Sequence, residues 1–231
     1  MNIYIERLIK DYDRRVLDIE NLKIEKGKIT AILGLNGSGK TTLLECIANI
    51  RTPTCGKIYY DGSDDFNKVK DNVAIMQQKP YIFNMSAKEN IVLGLRFKGC
   101  ESSVIEERLK RYVSYFDINF LNKNAKRLSV GELAKVALLR VVILERDLLL
   151  LDEPTANMDI ESTLNAERLV LDMKKRGTTV ILVTHDLYQA QRIADTVVFM
   201  DKGRVIEINK GDEFFKNPRN ELVKKLYEGA I

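Results

Sequence analysis

No apolar run in the chain approaches the ~20 residues that a bilayer-crossing helix needs, so no transmembrane segment is expected. The opening residues, MNIYIERLIK, lack the apolar core of a signal peptide. Cysteine is scarce. Cys46, Cys55 and Cys100 form no CxxC pair and are odd in number, which argues for free thiols and a reducing compartment. Only four prolines occur, with no internal repeat and no low-complexity tract, so nothing reads as an interdomain linker. Neither sign of charge dominates, with 37 Lys and Arg against 33 Asp and Glu. A net +4 without a basic stripe excludes a nucleic-acid groove but suits an anionic small ligand or a membrane surface. What remains is 45% apolar and 30% charged over 231 residues, the balance of a globular protein with room for one large domain and an inserted subdomain.

Short β-rich pieces open the chain: NIYIERLI, VLDIENLKI and the apolar ITAILGL. A helical pattern runs from Lys40 to about Ile50, with Leu43, Leu44, Ile47 and Ala48 on one face. GKIYYDG and NVAIMQQ read as strands, and Ser86 to about Phe116 as helix opened by a capping-box pair, Ser86 and Glu89. Farther on, LLLLD and TTVILVT alternate with helices near 160–176 and 187–195. Continuous apolar strands alternating with helices predict an α/β fold whose mostly parallel sheet is covered on both faces. The helical stretch at about 86–145 breaks the alternation and reads as an inserted subdomain, with only one or two short helices expected after Ile208.

GLNGSGKTT, Gly34 to Thr42, follows a strand and opens a helix, and satisfies G-x-x-x-x-G-K-[ST]. Its glycines let backbone N–H groups turn towards a phosphate chain, and the helix N-terminus adds positive potential. Lys40 would reach the β- and γ-phosphates and the Thr41 hydroxyl would ligate Mg²⁺. LLLLDEP, Leu148 to Pro154, ends a buried strand in Asp152 and Glu153. There Asp152 is placed to hold Mg²⁺ through water, and Glu153 to polarise an attacking water. NKGD, Asn209 to Asp212, matches a guanine-reading pattern. With no D-x-x-G switch motif in the chain, it reads as a surface turn and GTPase is a poor fit.

KRLSVGELAKVALLR, Lys126 to Arg140, places Ser129 and Gly131 at the mouth of a helix, a possible anion site that a plain serine N-cap would explain only for Ser129. With these elements in this order, nearly the whole chain resembles the nucleotide-binding subunit of ATP-binding-cassette (ABC) transporters. That family's usual signature, LSGGQ, reads LSVGE here. The resemblance implies a P-loop NTPase core, an N-terminal antiparallel β subdomain and one ABC ATPase domain over residues 1–231. It further implies that Ser129 and Gly131 bind the γ-phosphate of ATP held by the P-loop of a second copy. Val130 replaces a glycine, so its backbone has to avoid left-handed φ and its branched side chain is expected to crowd the phosphate. Glu132 replaces a neutral glutamine and is expected to add negative charge within a turn of an anion.

The remaining positions follow from the same resemblance. Tyr12 looks like the aromatic that stacks on adenine, although a partly buried strand tyrosine would look the same. Gln78, rather than its neighbour Gln77, looks like the glutamine that senses Mg²⁺ and the attacking water. Asp159 in TANMD looks like part of a loop crossing the dimer interface, and His185, the chain's single histidine, like the switch residue orienting water beside Glu153. Gly34, Asn36, Gly37, Ser38, Gly39 and Thr42 would complete the nucleotide cradle around Lys40 and Thr41. The implied enzyme is an ATPase that uses MgATP, closes as a homodimer and drives a separate membrane permease from the cytoplasmic face, with a substrate-binding protein in the full system. Tyr81, Ile82, Phe83 and Met85 either meet that permease or belong to the core. The tail KGRVIEINKGDEFFKNP is similar to that of oxyanion importers of the tungstate or molybdate type. An exporter subunit or an ATPase of a soluble assembly remains the alternative.

Overall fold

The computed structural model describes residues 1–227. Two sheets organise it. Strands β1 (Ile3–Asp11), β2 (Arg15–Ile24) and β4 (Cys55–Tyr60) form an antiparallel sheet in the order β2-β1-β4, as the resemblance implied. Residues alternate along β1: Ile3 and Ile5 are buried, while Tyr4 faces outward beside Tyr59. The second sheet contains β3 (Ile29–Gly34), β5 (Val73–Met76), β6 (Leu148–Asp152), β7 (Thr179–Val183), β8 (Thr196–Asp201) and β9 (Arg204–Lys210). Its order is β5-β6-β7-β3-β8-β9, and every pairing is parallel except β8 with β9.

The helices are α1 (Lys40–Ile47), α2 (Ala87–Phe97), α3 (Ser102–Val113), α4 (Val130–Val142), α5 (Ile160–Lys175), α6 (Leu187–Ile193), α7 (Gly211–Lys216) and α8 (Glu221–Tyr227). Strand β6 shows how the layers are held. Leu149 and Leu151 pack with Ile91 of α2, Val136 of α4 and Leu169 of α5, whereas Leu148 and Leu150 pack with Leu44 of α1 and Ile5 of the antiparallel sheet. A strand apolar at every position is therefore used on both faces, as a parallel sheet covered twice requires. The α2–α4 helices share this core with the sheet rather than enclosing one of their own.

Four expectations change. The first helix stops at Ile47, three residues early, where Tyr60 Oη donates to the Ile47 carbonyl at 2.6 Å. The helical run at 86–116 is two helices, α2 and α3, separated by residues 98–101. Strands β8 and β9 had no counterpart in the sequence reading. NKGD is no surface turn: Asn209 and Lys210 end β9 and a buried Gly211 opens α7. No helix among the described residues is long and apolar enough to cross a membrane.

Strand β9 also anchors the end of the chain. The buried carboxylate of Glu207 accepts hydrogen bonds from the Arg219 N–H at 3.1 and 3.2 Å and the Asn220 N–H at 2.9 Å, at the entrance to α8. Glu207→Ala leaves those donors without their acceptor, so a loss of about 1–3 kcal/mol of stability is expected. A denaturant midpoint unchanged from the parent would contradict this.

Candidate nucleotide and hydrolysis site

The phosphate loop is shaped by backbone that side chains would obstruct. Gly34 has φ +148°, and a Cβ there would lie 2.1 Å from the Met200 carbonyl oxygen, so β8 fixes where β3 ends. From that point the loop turns into α1, whose first residue is Lys40. The Lys40 ammonium is folded back on the loop, donating to the carbonyls of Gly34 (2.8 Å) and Leu35 (2.9 Å) and to Ser38 Oγ (3.4 Å). Burial lowers its pKa below the usual lysine value, against the pull of Glu153 and Asp152. A cavity of about 460 Å³ opens above it, lined among others by Asn36, Gly37, Lys40, Thr41, Gln78 and Glu153.

Thr41 Oγ1 donates to Asp152 Oδ2 at 2.7 Å, which ties α1 to the end of β6. Burial pushes the Asp152 carboxyl above its ordinary range, while the Thr41 hydrogen bond opposes the rise. A carboxyl with a raised folded pKa stabilises below its unfolded value of 3.8 and loses that contribution as pH rises through the folded value. At pH 7 without divalent cations, Asp152→Asn is therefore expected to melt higher than the parent while losing Mg²⁺-dependent hydrolysis. Melting curves with and without Mg²⁺ check it. A lower melting temperature would mean that the Thr41 contact outweighs the burial of charge.

Next to Asp152, Glu153 adopts φ 48°, a left-handed conformation uncommon for a residue with a side chain. Its N–H donates to the Val183 carbonyl at 2.9 Å, which holds the residue at the end of β7. Its Oε2 lies 3.2 Å from His185 Nδ1. Glu153 is 13% exposed and His185 64%, so the carboxylate is recessed and the ring is open to the solvent. With the proton on Nδ1 the ring donates to the carboxylate and leaves Nε2 free. A second cavity of about 380 Å³ brings His185 together with Asn36, Gln78 and Glu153.

Not every expected residue arrives here. Tyr12 is absent from the lining of both cavities: its ring is half exposed and covered by the Lys10 ammonium at 4.9 Å. The end of the β1–β2 turn and the start of β2 instead present Arg14, Arg15 and Val16, none of them anticipated, and Arg15 is steadied by Asp11 at 3.1 Å. Ser129 and Gly131 line neither cavity. Ser129 caps α4 in a full capping box: Glu132 N–H donates to its Oγ at 3.2 Å and its own N–H donates to Glu132 Oε2 at 2.7 Å. Glu132 thus has a local structural use beyond adding charge. Val130 is the first helical residue and points outward, 63% exposed. A Cβ on Gly131 would approach the Asn157 carbonyl oxygen to 2.9 Å, so this glycine lets α4 meet the TANMD loop. Asp159 in that loop caps α5, accepting from Ser162 N–H at 2.7 Å and Ser162 Oγ–H at 2.9 Å.

A glycine loop at a helix N-terminus, a lysine inside it and a hydroxyl paired with a buried aspartate define a site for a nucleoside triphosphate. The oxygen donors Thr41 Oγ1, Asp152 and the Gln78 side chain suit Mg²⁺, a hard cation that keeps several waters. Bound there, Mg²⁺ would neutralise charge on the phosphate oxygens. Around that cavity the chain itself places the Lys40 ammonium inside the phosphate loop and the Glu153 carboxylate in contact with His185.

Comparison with known proteins agrees. The family model "ABC transporter" matches residues 17–156. The tungstate uptake system ATP-binding protein TupC of Peptoclostridium acidaminophilum is 38% identical, covering 93% of this chain and 100% of its own. The phosphate import ATP-binding protein PstB of Thermotoga maritima is 36% identical, covering 91% and 90%. A dimeric, post-hydrolysis structure of the ATP-binding cassette MJ0796 with ADP and Pi superposes with a TM-score of 0.83 at 25% identity, covering 90% of this chain and 98% of that one. The chain belongs to the ABC transporter family and is one of its ATP-binding ATPases.

Proposed function

We propose that this chain powers the import of a tetrahedral oxyanion, of the tungstate or molybdate type, through a separate membrane permease. Two copies close face to face around two MgATP molecules. Each site then combines Lys40, Thr41, Gln78, Asp152, Glu153 and His185 of one copy with Ser129 and Gly131 of the other. The observation that carries this reading is the separation within one chain: the phosphate loop lines the cavity, while Ser129 and Gly131 line no part of it. A site divided in this way is complete only on closure, so ATP favours the closed pair and hydrolysis releases it. The matched family and the dimeric relative support the pairing, and the two oxyanion uptake relatives support the substrate class.

Residues 1–231 act as one ATPase domain, with the helices at about 86–145 as its inserted arm. The permease docks near KPYIFNMSAKEN, where Tyr81 and Phe83 are exposed while Ile82 packs inward. That contact holds the chain at the cytoplasmic face of the membrane, and a substrate-binding protein delivers the anion. Reconstitution of the chain with its co-purified membrane partner tests the proposal. Tungstate or molybdate, presented with the binding protein, should raise ATP turnover above the basal rate, and sulfate should not. Stimulation by an organic solute alone would sink the oxyanion reading, and failure of any membrane protein to co-purify would sink the transport reading.

A further inference from the structure

Glu153 and His185, assigned above to hydrolysis, come from different parts of the chain. Glu153 directly follows β6, and His185 lies between β7 and α6. One buried side chain connects the segments that follow them. Gln189, 1% exposed and in the first turn of α6, donates from Nε2 to Thr155 Oγ1 at 2.9 Å and to Glu167 Oε1 of α5 at 3.4 Å. Thr155 stands two residues after Glu153 and opens the TANMD loop. Glu167 is itself fixed by a two-pronged contact with Arg192, at 2.8 and 2.6 Å, one turn further along α6. The N–H of Gln189 is tied to Asp186 Oδ1 at 3.0 Å, beside His185. The remaining polar atom, Gln189 Oε1, is buried without a hydrogen-bond partner.

We infer that Gln189 is a positioning residue for hydrolysis, bridging the Glu153–Thr155 turn to the His185–α6 segment and so setting the spacing of Glu153 and His185. Three features distinguish it from ordinary packing. A leucine of similar size would fill the same space without leaving an orphaned oxygen, and buried polar groups cost stability unless they are satisfied. Both of its hydrogen bonds are donated by one amide nitrogen to partners on two other elements, so the amide fixes their relative placement. One of those partners, Glu167, is held by Arg192 with its carboxylate buried, which is rigid support for a bridge. Gln189 touches neither nucleotide cavity, so it acts through Thr155 and the α6 entrance alone.

The inference concerns hydrolysis and does not depend on the transported solute. Its test compares Gln189→Leu, Thr155→Val, their combination and Thr155→Ser, all in the full chain. ATP affinity, single-turnover hydrolysis and melting temperature are measured for each. Gln189→Leu and Thr155→Val should each slow hydrolysis roughly ten- to hundred-fold through misplacement of the reacting groups. Their ATP affinity should stay within about two-fold of the parent, since the phosphate loop is untouched. The combined variant should be no slower than the worse single one, because both substitutions cut the same bridge. Thr155→Ser, which keeps the hydroxyl, should retain the parental rate. Parental hydrolysis in Gln189→Leu with a lowered melting temperature would overturn the inference and leave a packing role. Independent, multiplying losses would overturn it as well.

Discussion

Glu153→Gln is expected to lower ATP hydrolysis by about 10²–10⁴-fold, the range associated with a general base, while ATP still binds. The reason is local. The substituted amide keeps the size of the side chain and its left-handed backbone position, but it cannot draw a proton from water. The cradle around Lys40 and the Thr41–Asp152 contact are unaffected. Under the pairing proposed above, blocked hydrolysis traps the closed state, so light scattering should report a shift from one copy to two when MgATP is added. Ser129→Arg in the same background should abolish that shift by placing a long cation where phosphate would enter. Ser129 also caps α4, so this double variant forfeits about 1 kcal/mol and has to be shown folded by its melting curve. ATP binding without any change in mass would mean that LSVGE does not act across a pair of isolated chains. Unimpaired hydrolysis would remove Glu153 from the chemistry.

The second large effect belongs to Lys40. Lys40→Met removes the cation aimed at the phosphates, and a charge-assisted contact is worth about 1.5–3 kcal/mol, so ATP affinity should fall roughly ten- to hundred-fold. In thermal melts the stabilisation that ATP confers on the parent should largely vanish at the same concentration. A pH signature accompanies it. Burial holds the folded pKa of Lys40 below 10.5, and incoming phosphates raise it again. ATP binding therefore takes up protons in the window between the lowered and the raised value, and parental affinity should decline as pH rises through that window. The methionine variant should show no such decline. Equal pH dependence in both proteins would assign the titration to another group.

How much of this was readable beforehand depends on the range of the interaction. The phosphate loop is legible because its chemistry is contiguous: glycines, lysine and threonine act from adjacent positions at one strand-to-helix turn. The capping box at Ser86 is equally local, three residues across, and it forms, whereas the one at Ser129 recruits Glu132, which the sequence suggested only as added charge. Apolar continuity in LLLLD and TTVILVT marks doubly covered strands for the same reason, since every residue there needs an apolar neighbour whichever way it points. NKGD failed because its spacing says nothing of its surroundings. A β9–α7 junction buries Gly211, and a Cβ there would lie 2.3 Å from the Ala194 carbonyl oxygen.

By itself, then, the amino-acid sequence determined that this is a nucleotide-binding α/β protein, where its phosphate loop and acidic strand end lie, and that a capping box opens the helix after Ser86. Those properties arise from backbone conformations and contacts spanning a few residues. Only the tertiary structure decided that Arg14 and Arg15, rather than Tyr12, line the cavity, and that Glu207 holds the terminal helix. Only it placed Glu153 and His185 3.2 Å apart, with Gln189 reaching across to Thr155. These pairs are separated by 12 to 34 positions in the chain. The proximity of Glu153 to His185 depends on β6 lying beside β7, and strand order is set by the packing of whole layers rather than by any local run of residues.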